Sequence, residues 1–218
     1  MAEPSSETIT QKPRIPMLKH APQTTEETRR SLKWRVVDIA VGAAVGVMSG
    51  VMFWVFDGMS YGLFPLLTLI LPGSAALLHA LFYFPATLGL LIVRKLGASA
   101  YVLLVASFVE VVLGTKYSVS LVVIALVQAL AAETVFALFR YRRWTLGVTL
   151  LSSVAIGIVY NFYLLFFYYQ AFSFFSPRGL IGTACELLSA AVFAGFGSWI
   201  LYRALAKSGV LTRFASGR

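Results

Sequence analysis

The sequence has few charged residues for its length and little cysteine or histidine. Only 12% of its 218 residues are Asp, Glu, Lys or Arg, whereas a typical soluble domain carries roughly 25%. Cys185 has no second cysteine with which to form an internal disulfide, and we interpret it as a small buried hydrophobe. His20 and His79 are too few to predict a metal site. The shortage of charge argues against a soluble domain.

Motifs for catalysis and for nucleotide hydrolysis are also absent. The chain contains no G-x-x-x-x-G-K-[ST] phosphate loop, no H-E-x-x-H zinc motif and no G-x-S-x-G nucleophile motif. We therefore predict no catalytic residue, no metal ligand and no cofactor, and no ATP hydrolysis by the phosphate-loop route.

Long apolar runs make up most of the chain. Hydrophobic residues account for 59% of it, and the mean hydropathy is +0.81. Because a helix needs about 20 mainly apolar residues to cross a bilayer, the pattern predicts an all-α membrane protein with six transmembrane helices. One further run, Gly62 to Leu71, is short, and we predict a short outer loop or re-entrant segment over 58–74. The six predicted spans are 36–56, 75–93, 99–114, 119–139, 144–168 and 179–202.

Basic residues are distributed unequally between the two ends of these spans. If 58–74 does not cross, sixteen Lys and Arg lie on one side, and only Lys116 and Arg178 lie on the other. The positive-inside rule then places both termini in the cytoplasm. We attribute the net charge of +9 to this topology signal and not to nucleic-acid binding.

The two ends of the chain differ from its apolar centre. Residues 1–33 are polar and contain four prolines, so we predict a disordered cytoplasmic tail. Residues 34–210 form the predicted transmembrane domain, and 211–218 form a second cytoplasmic tail.

Three glutamates, Glu110, Glu133 and Glu186, lie inside apolar runs that contain no Lys or Arg. An ionised carboxylate at mid-bilayer costs at least about 2.5 kcal/mol, so these side chains are expected to face a watery cavity or a partner from outside, such as a cationic ligand, a metal or a proton. Glu133 lies nearer the cytoplasmic end, where a structural role is equally well supported. The other polar side chains predicted in an outer-half pocket are Gln128, Asn161 and His79.

Aromatic residues crowd the same outer level. Ring faces attract cations, so we predict an aromatic box for a flat, positively charged heterocycle, although an aromatic belt at the lipid headgroups is the alternative. We assign Tyr168 and Tyr169 to that belt. The predicted binding aromatics are Trp54, Tyr83, Tyr117 and Tyr163.

Small residues recur along the first span. Gly42, Gly46 and Gly50 repeat every four residues, and Ala40 and Ala44 form a second pair. Such spacing lets another helix approach closely. That helix belongs either to the same chain or to a docked partner subunit, and spacing alone favours packing within the chain.

The stretches Phe108–Gly114 and Val127–Phe136, together with Trp34–Ile39, resemble the YkoE family. Its members are substrate-binding S components of energy-coupling factor (ECF) transporters for thiamine or its hydroxymethylpyrimidine precursor. The resemblance covers about residues 33–210. It implies a six-helix S component that captures its vitamin from outside and carries no enzymatic activity. It also implies that Ala40 and Ala44, with Gly42, Gly46 and Gly50 nearby, dock a transmembrane T component driven by separate ATPase subunits in the plasma membrane of a bacterial cell. With the resemblance added, docking of a partner becomes the favoured role of this stripe over packing within the chain.

Two other functions are compatible with the residues. A secondary transporter could use the glutamates to carry protons, and it would work alone in liposomes with a pH gradient. An intramembrane enzyme or assembly factor would show no tight binding of a small cation.

Overall fold

The computed structural model describes residues 33–115, 120–170, 173–209 and 211. Within these ranges the regular structure is helical, which confirms the predicted all-α membrane class. Most of the two predicted tails falls outside the described residues, so both tails stay predictions. The elements in chain order are α1 (Val36–Ile70), a 3₁₀ helix (Ser74–Phe82), α2 (Phe84–Val93), α3 (Ala98–Val112), α4 (Ser120–Leu138), α5 (Leu146–Phe167), α6 (Pro177–Ser189), a π-helix (Ala190–Gly197) and α7 (Ser198–Lys207).

These elements form six apolar units. The 3₁₀ helix continues into α2 as one unit, Ser74–Val93, and α6, the π-helix and α7 form another, Pro177–Lys207. Five of the units are long and apolar enough to cross a bilayer, while α3 has only 15 residues. We call the end of the bundle where α1, α3 and α5 finish the distal end, and the opposite end the proximal end.

The first helix is longer than the sequence predicted. Instead of ending near residue 57, α1 continues for 35 residues to Ile70, about 52 Å at ~1.5 Å per residue. The predicted outer loop over 58–74 is therefore wrong for residues 58–70, and only a short turn at 71–73 separates α1 from the 3₁₀ helix. Pro65 lies inside the helix, where a proline removes one backbone hydrogen bond without ending the helix.

The glycine stripe of α1 packs against α3 within the same chain. A Cβ on Gly46 would lie 2.7 Å from Val105 Cβ, and a Cβ on Gly50 would lie 2.5 Å from the Ala106 carbonyl oxygen. A side chain at either position would force the two helices apart. The structure therefore places Gly42, Gly46 and Gly50, which were predicted to take part in partner docking, against α3 of the same chain.

Buried charge closes the proximal end of the bundle. Asp38, 1% exposed, lies 3.3 Å from Arg35 Nη2 and 3.7 Å from the buried Lys95 ammonium. The Trp34 indole donates a hydrogen bond to the Leu96 carbonyl at 3.0 Å. These contacts fix the start of α1 against the turn between α2 and α3.

The same turn is fixed to the last helix. Arg94 donates a hydrogen bond to the Tyr202 hydroxyl at 2.9 Å, and its guanidinium lies over the rings of Trp144 and Tyr202. Such cation–π contacts are stronger when they are removed from water. The proximal end is therefore packed with aromatic and charged groups.

We predict that the proximal end faces the cytoplasm. In a Cys185→Ala background, a membrane-impermeant maleimide should label Phe175→Cys, at an exposed distal position, in intact cells. It should label Ser208→Cys, just after α7, only after lysis. Labelling of position 208 but not of position 175 in intact cells would reverse the orientation.

Candidate functional site

A cavity of ≈230 Å³ lies among the distal halves of α1, α3, α4 and α5 and the 3₁₀ helix. Its walls are mostly aromatic and aliphatic, with a small number of polar side chains, which is the usual make-up of a small-molecule site. We call it the first cavity. Its lining residues are Phe53, Asp57, Ser60, Phe64, His79, Phe82, Leu103, Ser107, Glu110, Leu121, Ile124, Ala125, Gln128, Tyr160, Leu164, Tyr168 and Tyr169.

Two carboxylates face this cavity. Glu110 is 2% exposed and lies close enough to Asp57 for their charges to repel. Asp57 accepts a hydrogen bond from the Thr115 hydroxyl at 3.2 Å, but the structure shows no hydrogen bond from another described residue to the Glu110 carboxylate. Since no Lys or Arg lines the cavity, two buried acids are left without a basic partner among its walls. This arrangement favours a cationic ligand.

Gln128 adds a hydrogen-bond donor. The side chain is 2% exposed and lines the cavity from α4, and its Nε2 has no partner among the described residues. An unpaired buried donor costs about 1–3 kcal/mol, so an acceptor on a bound ligand would remove a penalty that the empty site carries.

His79 is held in a fixed orientation at the edge of the cavity. Its Nδ1 lies 2.5 Å from Glu186 Oε2, and the Tyr83 hydroxyl donates to Glu186 Oε1 at 2.8 Å. Edge-to-face contacts with Phe64 and Tyr160 fix the ring plane. Glu186 is fully buried and does not line the cavity. The structure therefore places Glu186, which was predicted to bind the ligand, behind His79 and not on the cavity wall.

A second cavity of ≈310 Å³ adjoins the first. It lies between the outer part of α1, the 3₁₀ helix and the start of α6, and Phe64, His79, Leu164 and Tyr169 line both cavities. Asn161 lines only this second cavity, with its Nδ2 donating to Thr183 at 2.9 Å. The residues of the predicted single pocket are therefore divided between two adjoining cavities.

Glu133 lies away from both cavities. It accepts hydrogen bonds from the Ser99 backbone amide at 3.0 Å and from the Tyr141 hydroxyl. An acceptor at this position satisfies a free amide at the N-terminus of α3 and complements the positive end of that helix. The structure thus gives Glu133 a structural contact, which is the alternative to ligand binding that the sequence left open.

The remaining predicted aromatics are distributed differently from the prediction. Tyr83 is fully buried beside Glu186, Trp54 is 44% exposed, and Tyr163 packs against Phe167 and Tyr168. None of these three lines the first cavity. Tyr117 lies outside the described residues.

Other residues that line the cavity were missed by sequence reasoning. Asp57 and Ser60 were not predicted to line a pocket because the first span was expected to end at residue 56. Tyr168 and Tyr169, assigned to the aromatic belt, line the first cavity together with Tyr160. The spacing of Phe53, Asp57, Ser60 and Phe64 places them on one helical face, and this was the signal available to find them.

Comparison with known proteins gives three matches. The family model described as the permease component of an ABC-type cobalt transport system matches residues 37–159. A Bacillus subtilis (strain 168) protein named HMP/thiamine permease protein YkoE is 26% identical over 189 residues, which is 85% of this chain and 91% of that protein. A crystal structure of an S component of an ECF transporter superposes with a TM-score of 0.77 at 26% identity, covering 85% of this chain and 92% of the other.

Proposed function

Because the chain belongs to the family of ABC-type cobalt transport system permease components and shares the fold of an ECF S component, we propose that it is the substrate-binding S component of an ECF transporter importing thiamine or hydroxymethylpyrimidine. The likeness to the HMP/thiamine permease protein supports this substrate class. The chain itself performs no catalysis in this proposal, and ATP is hydrolysed by partner subunits.

The observation that carries the proposal is the chemistry of the first cavity. Asp57 and Glu110 supply negative charge, Gln128 supplies an unpaired donor, and aromatic rings surround them. Thiamine combines a cationic thiazolium with a flat aminopyrimidine that has ring acceptors. Cations and flat rings both interact favourably with aromatic faces. The two carboxylates and the surrounding rings together support an organic cation.

Mass spectrometry of ligand retained by the purified protein tests this function directly. We expect thiamine or hydroxymethylpyrimidine to be retained, and calorimetry with each to show binding of at least one. Uptake into liposomes should require the partner subunits. Uptake by the chain alone, driven by a pH gradient, would instead establish the secondary transporter.

The surface proposed to dock the T component is the free face of α1. Ala40 and Ala44 are exposed, and Met48 one turn further along is 72% exposed. This face points away from the glycines that contact α3. The docking prediction therefore rests on the alanines, whose small side chains would allow a partner helix to approach closely.

We predict that Ala44→Trp blocks assembly with the T component and abolishes uptake, because an indole at this position would separate the two helices. Substrate binding by the isolated chain should be unchanged, since Ala44 lies far along α1 from the residues that line the cavities. Co-purification with the T component and calorimetry measure the two properties separately.

The matched control is Ala137→Trp, the same substitution at an exposed alanine of α4. It should assemble and transport like the wild type. Loss of substrate binding in Ala44→Trp, or equal loss of assembly in Ala137→Trp, would exclude a specific docking role for this face.

A further inference from the structure

The two adjoining cavities carry opposite charge. The first is lined by Asp57 and Glu110 and by no Lys or Arg. The second is lined by Arg178 and by no Asp or Glu. A ligand with charge of only one sign would be attracted to the charged lining of only one of the two cavities.

The two cavities share part of their walls. Phe64 and His79 form part of each wall from one side, and Leu164 and Tyr169 do so from α5. The shared walls make the two spaces neighbours and not separate sites on the surface. A ligand that spans them would have to be elongated, with one end among the carboxylates and the other near Arg178.

The second cavity has the features of an anion site. Arg178 lies in the first turn of α6, whose amino-terminal end carries partial positive charge. Gly179 and Gly182 line the cavity without side chains that would fill it, and the Thr68 hydroxyl adds a donor. An arginine with nearby neutral donors is a common arrangement for binding phosphate.

His79, which lines both cavities, gives an independent indication that a ligand lies between them. The side chain is 7% exposed, and its Nδ1 is already engaged by Glu186. Its Nε2 has no hydrogen-bond partner among the described residues, although the ring lines both cavities. A ring nitrogen without a protein partner, on a ring that lines both cavities, is expected to bond to a polar atom of the ligand.

We propose that the second cavity binds the anionic tail of a ligand whose cationic ring lies in the first, so that the substrate class includes phosphate esters of the heterocycle, thiamine monophosphate being the probe. The inference rests on the proposed function, and it adds a phosphate subsite formed by Arg178 and its neighbours. Thiamine itself would occupy the first cavity and leave this subsite empty.

Calorimetry of the full chain with thiamine, thiamine monophosphate and inorganic phosphate tests the proposal. The wild type should bind the monophosphate at least as tightly as thiamine, and free phosphate only weakly. Arg178→Gln should weaken monophosphate binding at least about tenfold, the loss expected when a hydrogen bond to a charged group is removed, and change thiamine binding less than about twofold. Arg178→Lys, which keeps the charge, should recover most of the monophosphate affinity.

Arg203→Gln, which removes the same charge from an exposed position of α7, should leave both affinities unchanged. The phosphate subsite is excluded if the wild type rejects the monophosphate, or if Arg178→Gln lowers both affinities equally or neither. Binding of thiamine with rejection of the monophosphate would overturn this inference alone. Failure to bind either ligand would overturn the proposed function as well.

Discussion

Glu110→Gln should weaken thiamine binding by about 1.5–3 kcal/mol, the range for a hydrogen bond to a charged group. The substitution keeps the size of the side chain and removes its charge. Glu110 is almost fully buried, lines the first cavity and has no basic residue on the cavity wall to compensate it. If the carboxylate faces the thiazolium, hydroxymethylpyrimidine, which lacks the permanent charge, should lose less affinity. Calorimetry with both ligands measures the difference.

Glu133→Gln is the matched control, because it makes the same change at a carboxylate that lies outside both cavities. Its thiamine affinity should stay within about twofold of wild type in the folded protein. Asp57→Asn should weaken binding in the same direction as Glu110→Gln. Unchanged thiamine affinity in a folded Glu110→Gln protein would remove Glu110 from the site and leave Asp57 as the charge partner.

Gly50→Ala should destabilise the protein by about 1–3 kcal/mol, the usual cost of overpacking a tight contact. The added Cβ would lie 2.5 Å from the Ala106 backbone oxygen and 2.7 Å from Val109 Cβ. Neither atom lies at the end of a flexible side chain, so α1 and α3 must separate to accommodate the methyl group. Thermal unfolding in detergent should show a lower midpoint.

Gly62→Ala provides the comparison within the same helix. No atom lies within 4 Å of a Cβ built at Gly62, so the substitution adds no clash and should be neutral or stabilise by up to about 1 kcal/mol through helix propensity. Equal midpoints for the two variants would show that α1 and α3 do not pack as closely as described.

The all-α membrane class and the approximate positions of the transmembrane helices follow from the sequence because they depend on local composition. Apolar runs of bilayer length predict transmembrane helices wherever they occur, and a buried acid without a basic neighbour in its run indicates an external partner. Glu110 was predicted on this basis and Gln128 as a polar side chain within an apolar span, and both line the first cavity. The four-residue glycine spacing likewise predicts a close helix contact, which α3 provides.

Tertiary structure decided which polar side chains share a space. Glu110, Glu133 and Glu186 look alike along the chain, yet only the first faces a cavity, because the second binds the amino end of α3 and the third binds His79 and Tyr83. Asp57 enters the site because α1 continues past residue 56. A run of ten apolar residues with prolines does not by itself show whether the helix continues. This end of the helix is supported by contacts of His79 with Phe64 and Tyr160. Because these residues are far apart in sequence, no local pattern predicts the contacts.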